Sequence, residues 1–141
     1  MRFIPTRFHG LLDYIIGAAL IAAPWIFNFV PEGGYNNWGN ETLTPMVLGL
    51  ILILQSLFTN YEWGVFKYLQ MPTHLMMDIL LGVFLAVSPW ALGFADYVYA
   101  PHLIVGICEV VLALTTQRAP QTASPNLMGN DNRYNTMPSR S

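Results

Sequence analysis

The sequence contains few charged residues. Only 10% of its 141 residues are Asp, Glu, Lys or Arg, whereas a soluble globular domain carries about 25%. The formal net charge is −2, and no cluster of Lys and Arg provides the positive surface that nucleic-acid binding requires. These shortages exclude an ordinary soluble domain, and we expect no nucleic-acid partner.

Cysteine and catalytic motifs are also scarce. Cys108 is the single cysteine of the chain, so an internal disulfide is impossible. The sequence has no nucleophile elbow, phosphate-binding loop, Cys-x-x-Cys pair or His-Glu-x-x-His zinc motif. We therefore predict a protein that is not an enzyme, and we predict no cofactor.

Apolar residues are abundant and make up 54% of the chain. They form four segments, at about 8–29, 43–59, 73–94 and 101–117. Each segment is near the roughly 17–25 residues that cross a bilayer as a helix, and the second and fourth are the shorter ones. The pattern predicts an all-α membrane protein with four transmembrane helices and with the lipid bilayer as its partner.

The positive residues indicate how the helices are oriented. All six of them lie on one side of a four-helix path: Arg2, Arg7, Lys67, Arg118, Arg133 and Arg140. The positive-inside rule assigns that side to the cytoplasm. We expect an inner-membrane, multi-pass protein with cytoplasmic N- and C-termini, a polar loop at 31–41 on the other side, and a disordered cytoplasmic tail at 118–141.

An internal duplication relates the two halves of the apolar region. The run His9-x₃-Asp13-x₃-Gly17 returns as His74-x₃-Asp78-x₃-Gly82, at an offset of 65 (74 − 9). We predict one transmembrane domain at 1–117, in which repeat one covers about 5–60 and repeat two about 72–117. Because each repeat contains two helices, both helical hairpins run in the same direction, related by a pseudo-two-fold axis along the membrane normal.

Glycines mark the expected helix contacts, since small residues let helices approach closely in membranes. Gly49 and Gly106 occupy similar positions in the second helix of each repeat. Gly17 and Gly82 follow the duplicated His and Asp residues. We predict that helix one packs beside helix three, with Gly17 and Gly82 at that contact.

A Pro-Trp pair ends the first helix of each repeat. Ser88-Pro89-Trp90 has the counterpart Ala23-Pro24-Trp25, also at an offset of 65 (89 − 24). With the His-x₃-Asp-x₃-Gly runs, these tripeptides resemble the SPW-repeat family of bacterial integral membrane proteins over about residues 5–117. The resemblance implies a fold and a bacterial membrane, but no reaction.

The Pro-Trp pairs have a structural interpretation. Proline can kink or end a helix, and Trp25 and Trp90 are placed to join an aromatic belt at the outer interface. A quinone or lipid-headgroup site made from these aromatics is the alternative. His102, at the outer start of the fourth helix, is interpreted as an interfacial residue.

Ionisable residues within the predicted helices are candidates for a functional site. Residues four apart share a helix face. His9 and Asp13 therefore lie on one stripe of the first helix, and His74 and Asp78 lie on the equivalent stripe of the third helix. Glu109 lies deeper, where its counterpart in repeat one is the apolar Leu52. A charge at the helix centre costs about 2.5–3.5 kcal/mol, so we expect all five to converge in the bundle interior, in its cytoplasmic half.

Three functions remain open for this His/Asp/Glu cluster. The leading interpretation is a non-enzymatic membrane protein in which the cluster packs the helices and is available to bind a ligand. The second is a small transporter or a proton- or cation-coupled carrier. The third is a membrane redox subunit that binds a metal or haem through its histidines. A homo-oligomer or a larger membrane complex is left open.

Overall fold

A computed structural model describes residues 2–30 and 38–119, and within them the chain forms four α-helices and no strands. The helices are α1 (Thr6–Ile26), α2 (Asn40–Phe58), α3 (Met71–Ala91) and α4 (Ala100–Thr115). The predicted all-α fold, built from two helical hairpins that run in the same direction, is confirmed. Most of the predicted polar loop, at 31–37, and of the predicted tail, at 120–141, lies outside the described residues.

The helices begin one to three residues earlier than the apolar segments indicated. Pro5 immediately precedes α1, and α3 and α4 each carry a proline in their first turn, where its missing N–H removes no intrahelical bond. The first helices of both repeats also end early, two residues after Pro24 and Pro89. Hydropathy does not mark the helix starts, because the polar residues of a first turn do not raise the mean hydropathy.

Three of the helices are long and apolar enough to cross a membrane. They are α1, α2 and α3, with 21, 19 and 21 residues. The fourth, α4, is a shorter apolar helix of 16 residues, about 24 Å long at a rise of about 1.5 Å per residue. A helix shorter than the hydrocarbon thickness is accommodated by local thinning of the bilayer or by snorkelling of its flanking side chains. With three helices of spanning length, the protein is a multi-pass membrane protein.

Each hairpin is held together by a pair of facing glycines. A Cβ at Gly49 would lie 2.5 Å from the backbone oxygen of Gly17, and a Cβ at Gly82 would lie 2.8 Å from the backbone oxygen of Gly106. The glycines therefore join α1 to α2 and α3 to α4. The predicted contact of Gly17 with Gly82 is wrong. Each of these glycines instead allows a close approach of the two helices within its own hairpin, whereas α1 and α3 contact each other through larger polar side chains.

The contacts between the hairpins are less uniform. The α2–α3 pair packs more closely than the α1–α4 pair. An apolar group of Leu20, Leu48 and Leu85 fills the middle of the bundle, and a second group forms around Met71, Leu75 and Ala113. The apolar core is therefore divided into two groups, and the α1–α4 contact is the looser of the two between the hairpins.

Short backbone pairings close the end of the bundle at which α1 and α3 begin. Ile4 pairs with Thr116, and Leu69 pairs with Thr59. These pairings are equivalent under the duplication, since Leu69 lies 65 residues after Ile4 (69 − 4). They fix Thr59 and Thr116, which follow directly after α2 and α4, beside the first turns of α3 and α1.

Candidate functional site

Four ionisable side chains meet between α1 and α3, near the helix ends closed by those pairings. His9 and Asp13 come from α1, and His74 and Asp78 come from α3. All four side chains are fully buried, and one nitrogen or oxygen atom from each lies within 4.8 Å of the others. We call these four residues the His/Asp cluster.

Each histidine of the cluster faces both carboxylates. Nε2 of His9 lies 3.1 Å from Asp78 Oδ2 and 3.4 Å from Asp13 Oδ1. Nε2 of His74 lies 2.9 Å from Asp13 Oδ2 and 3.3 Å from Asp78 Oδ2. The contacts within each helix and those between the helices are of similar length, so the four groups form one site rather than two separate pairs.

Two threonines determine which ring nitrogen of each histidine carries a proton. The hydroxyl of Thr59 donates to the backbone oxygen of Gln55 (2.6 Å) and lies 2.9 Å from His74 Nδ1. The hydroxyl of Thr116 donates to the backbone oxygen of Leu112 (2.7 Å) and lies 3.0 Å from His9 Nδ1. Because each hydroxyl proton is already used, Nδ1 must donate to the hydroxyl oxygen. A neutral ring then presents the lone pair of Nε2 to the carboxylates.

The carboxylates are positioned by side chains of α2. Ser56 donates a hydrogen bond of 2.7 Å to Asp13 Oδ2, and Gln55 donates to Asp78 Oδ1. Oδ1 of Asp13 is buried without a hydrogen-bond partner among the described residues. Asp13 therefore has a free acceptor atom directed towards His9.

The charge of the cluster requires compensation. Two ionised carboxylates with two neutral histidines would leave a charge of −2 in a fully buried space, which is costly in a low-dielectric interior. Two bound protons, which make both rings imidazolium, would cancel this charge, as would one divalent cation. The cluster is thus electrically neutral with two bound protons or with one divalent cation.

Glu109 is buried but does not join the cluster. Only 3% of the residue is exposed, and neither carboxyl oxygen has a hydrogen-bond partner among the described residues. It lines a small cavity with Gly82 and leucines of the other three helices. Glu109 therefore faces the bundle interior, as predicted, and lies near enough to Asp13 and Asp78 to interact with them electrostatically, but it contributes no atom to the His/Asp cluster.

Tyr61, between α2 and α3, covers one side of the cluster. Its ring centroid lies 6.1 Å from that of His74, and its ring occupies the space that a side chain at Gly10 would need. Burial raises the pKa of Tyr61 above its ordinary value of 10. The phenol thus stays neutral and adds no charge to the site.

The Pro-Trp pairs lie at the opposite end of the bundle. Trp25 contacts Trp38 edge-on at 5.8 Å between ring centroids, and Trp90 contacts Tyr99 at 5.7 Å. About half of each of Trp25 and Trp90 is exposed. Both pairs therefore place an aromatic group at the surface, beside the start of the following helix.

Ser88 has a structural role next to its proline. Its hydroxyl donates a hydrogen bond of 2.8 Å to the backbone oxygen of Leu85. That oxygen is four residues before Pro89, which has no N–H to donate to it. In repeat one, Ala23 offers no such hydroxyl, so the serine of the tripeptide compensates for proline in repeat two alone.

Four residues that position the cluster were not among the candidates from the sequence: Gln55, Ser56, Thr59 and Thr116. A signal for the threonines does exist, because Thr59 and Thr116 share the offset of 57 (116 − 59) found between Gly49 and Gly106 (106 − 49). Gln55 and Ser56 have the apolar counterparts Leu112 and Ala113. A repeat comparison alone could not have identified them.

Comparisons with known proteins agree with the duplication. A family model described as SPW repeat domain matches residues 7–116. The match includes every residue of the His/Asp cluster, the glycine pairs and both Pro-Trp pairs. Searches of curated proteins and of solved structures found no match.

Proposed function

The chain belongs to the SPW repeat family, and we propose that it is a non-enzymatic bacterial inner-membrane protein whose His/Asp cluster binds one divalent transition-metal ion. Zn²⁺ is the ion that the ligands fit best. The metal would join α1 of repeat one to α3 of repeat two. In this proposal the metal stabilises the packing of the two hairpins against each other.

The observation that carries the proposal is the hydrogen bonding of the two imidazoles. Thr59 and Thr116 each accept a hydrogen bond from the N–H group at Nδ1. The Nε2 atoms of His74 and His9, which face the carboxylates, are then the ring nitrogens that can bind a cation. Histidines that bind metals almost always donate their other N–H to a second group in this way. The same arrangement on both histidines supports two oriented metal ligands.

The geometry of the cluster supports a tetrahedral ion. Ligand atoms about 2.0–2.1 Å from a tetrahedral Zn²⁺ lie about 3.3 Å from one another. The four contacts between histidine nitrogens and carboxylate oxygens measure 2.9–3.4 Å, with different oxygens of Asp13 facing the two histidines. One ligand atom from each of the four residues lies within 4.8 Å of the others, so a bound ion would draw the ligands slightly closer together. Two imidazoles with two carboxylates suit Zn²⁺ and its transition-metal neighbours better than Mg²⁺ or Ca²⁺, which prefer oxygen ligands alone.

The free acceptor on Asp13 favours a metal over two bound protons. If both rings were imidazolium, packing alone would explain the cluster, and Oδ1 of Asp13 would have an ion-pair contact of 3.4 Å with His9 Nε2 but no hydrogen bond from a described residue. A metal ion bound at that oxygen would be a closer partner and would likewise cancel the charge of both carboxylates. The metal thus satisfies the site more fully than protons do.

A proton- or cation-coupled carrier is the second candidate, and Glu109 is the observation that favours it. A buried carboxyl group without a hydrogen-bond partner in the described residues is costly in a membrane unless it binds a proton. Transport would also require a route to the His/Asp cluster, whose four side chains are fully buried. The geometry therefore supports a static site better than a moving one.

The orientation of the protein is part of the proposal. The exposed Lys67, between α2 and α3, is proposed to face the cytoplasm, and the exposed Asp96, between α3 and α4, to face the periplasm. With Cys108 changed to Ala, single cysteines at these two positions should react oppositely with a membrane-impermeant thiol reagent in intact cells. Labelling of Lys67→Cys alone would reverse the orientation.

Removal of the metal tests the proposed function. The protein is purified in detergent, treated with a chelator, and titrated with Zn²⁺ while its thermal unfolding is followed. Zn²⁺ at about 100 times its dissociation constant should stabilise the fold by about 2.7 kcal/mol. The double variant Asp13→Asn with Asp78→Asn, which keeps the size of both side chains, should show no such increase.

His102→Met provides the matched control, because it removes a histidine outside the cluster. It should retain the full effect of Zn²⁺. Equal stability with and without Zn²⁺ in the unaltered protein would leave helix packing as the role of the His/Asp cluster and would refute metal binding.

A further inference from the structure

The two repeats cover the His/Asp cluster in different ways. Gly10 of α1 corresponds to Leu75 of α3 at the offset of 65 (75 − 10). Leu75 is buried in the apolar group that includes Met71 and Ala113. Gly10 has no side chain, and the ring of Tyr61 occupies the space beside it. In repeat one a residue of the connecting segment therefore takes the place of a side chain that belongs to a helix in repeat two.

A tight turn, rather than a helix, holds Tyr61 in this position. The turn lies between α2 and α3, where the backbone N–H of Tyr61 donates to the oxygen of Thr59 (3.1 Å) and the N–H of Gly64 donates to the oxygen of Tyr61 (3.3 Å). A Cβ at Gly64 would collide with the backbone oxygen of Thr59. The turn at 59–64 therefore depends on glycine and is fixed by few hydrogen bonds.

The hydroxyl of Tyr61 weakens this cover. It is buried and makes no hydrogen bond with any described residue, although the hydroxyls of Ser56 and Tyr14 lie nearby. A buried polar group without a hydrogen bond costs free energy, and segments with few hydrogen bonds and contacts open more easily than packed helices. The side of the cluster that Tyr61 covers is therefore the side that opens at the lowest cost.

The charges beside Tyr61 favour the approach of a cation. Glu62 follows it directly and is partly buried, with its two carboxylate oxygens 2.7 and 3.0 Å from the hydroxyl of Thr6, which donates to them. At the offset of 57 the counterparts of Tyr61 and Glu62 are the exposed Arg118 and Ala119 (118 − 61). A carboxylate attracts a cation and a guanidinium repels it. The two sides of the cluster thus differ in charge as well as in cover.

We propose that Tyr61 is a lid on the His/Asp cluster, and that a divalent cation enters and leaves the cluster when the turn at 59–64 lifts the ring away from Gly10. Glu62 draws the cation to this entrance. The identity of the cation rests on the proposed function, but the lid does not, because a small uncharged reagent reaches the buried histidines by the same route.

The rates of Zn²⁺ uptake and release test the lid in the purified protein. Uptake is followed by stopped-flow mixing with Zn²⁺, and release by transfer of Zn²⁺ to excess chelator. A minor open state is populated at no more than about 10%, so Tyr61→Ala should raise both rates at least about tenfold. The dissociation constant should stay the same, since Tyr61 supplies none of the four ligand atoms. Faster release without faster uptake would overturn the proposal.

Three further variants separate the ring from other effects. Tyr61→Phe keeps the ring, so its rates should not exceed those of the unaltered protein. Gly64→Ala disrupts the turn and should raise both rates, and Tyr68→Ala, at an exposed position of the same segment, should not. Rates in Tyr61→Phe or Tyr68→Ala as high as those in Tyr61→Ala would refute a lid. Thermal unfolding establishes that each variant is folded, and Gly64→Ala provides the test if Tyr61→Ala is not.

A measurement without metal separates the lid from metal binding. Diethyl pyrocarbonate modifies neutral imidazoles, and mass spectrometry gives the rate at each histidine. Tyr61→Ala should accelerate modification of His9 and His74 at least about tenfold and leave His102, which is 1% exposed and outside the cluster, unchanged. This result in a protein that binds no Zn²⁺ would support the lid and refute the metal site. No acceleration, or an equal one at His102, would refute the lid even if Zn²⁺ binds.

Discussion

The hydroxyl of Thr116 lies 3.0 Å from Nδ1 of His9, although 107 positions separate the two residues in the sequence. Thr59 stands in the same relation to His74, at 2.9 Å. Each threonine follows the second helix of one repeat and orients the histidine of the other. The His/Asp cluster is therefore complete only when both repeats are folded against each other.

Thr59→Val and Thr116→Val should each weaken Zn²⁺ binding. Valine keeps the shape of threonine but cannot accept a hydrogen bond from the N–H group at Nδ1, so the orientation of one imidazole is lost. Loss of such an outer partner typically costs 10–100-fold in metal affinity, which a competition titration against a zinc chelator measures.

Thr115→Val is the control for these variants, since Thr115 is adjacent to Thr116 but its hydroxyl donates only to backbone oxygens of α4. It should bind Zn²⁺ as the unaltered protein does. If all three variants bound equally well, the threonines would not orient metal ligands.

Gly17→Leu and Gly106→Leu should destabilise the bundle. A side chain at Gly106 would collide with backbone atoms of Gly82 and Ala86, and one at Gly17 would meet the backbone oxygen of Gly49. Overpacking of this kind costs about 1–3 kcal/mol and should lower the midpoint of thermal unfolding in detergent. Ala18→Leu, at an exposed neighbouring position, should leave the midpoint unchanged; an equal loss there would show that added bulk alone is harmful.

Ser88→Ala should destabilise the fold by about 1 kcal/mol, because the backbone oxygen of Leu85 loses its donor. In a Pro89→Ala background the same change should have little effect, since residue 89 then supplies its own N–H to that oxygen. A double-mutant cycle on thermal or denaturant unfolding measures the difference. Equal costs in both backgrounds would assign Ser88 a role independent of the proline.

Glu109→Gln should preserve the fold and leave Zn²⁺ binding unchanged, because Glu109 is not part of the His/Asp cluster. Glu109→Leu, which copies Leu52 of repeat one, should fold at least as stably, since it removes a buried carboxyl group. Both variants should complement a deletion strain under any stress that reveals a phenotype. A stable Glu109→Gln protein that fails to complement would instead favour the carrier.

Much of the fold could be predicted because the bilayer imposes a simple pattern on the sequence. Apolar segments of about the length that spans a bilayer identified all four helices. The constant offset of 65 showed that His9 and Asp13 are equivalent to His74 and Asp78, and the four residues do lie together. The helix ends were less accurate, since prolines rather than hydropathy set them.

Contacts between helices could not be read in the same way. Gly17 and Gly82 are equivalent in the duplication and were predicted to contact each other. Equivalent positions need not touch under two-fold symmetry, and each of these glycines faces the glycine of the other helix in its own hairpin. Glu109 was placed by depth along its helix, which does not give the direction of the side chain. His102 was recognised at the start of its helix, but a helix start alone does not reveal the two phenylalanines, Phe29 and Phe94, that bury it.

The metal content of the purified protein tests metal binding by the His/Asp cluster most directly. The protein is purified without chelators, equilibrated with Zn²⁺, freed of excess metal and analysed by elemental mass spectrometry, beside His102→Met and the double variant His9→Gln with His74→Gln. We expect about one Zn²⁺ per chain in the unaltered protein and in His102→Met, and none in the double variant. A metal-free unaltered protein, or equal zinc in the double variant, would contradict a metal site at the His/Asp cluster.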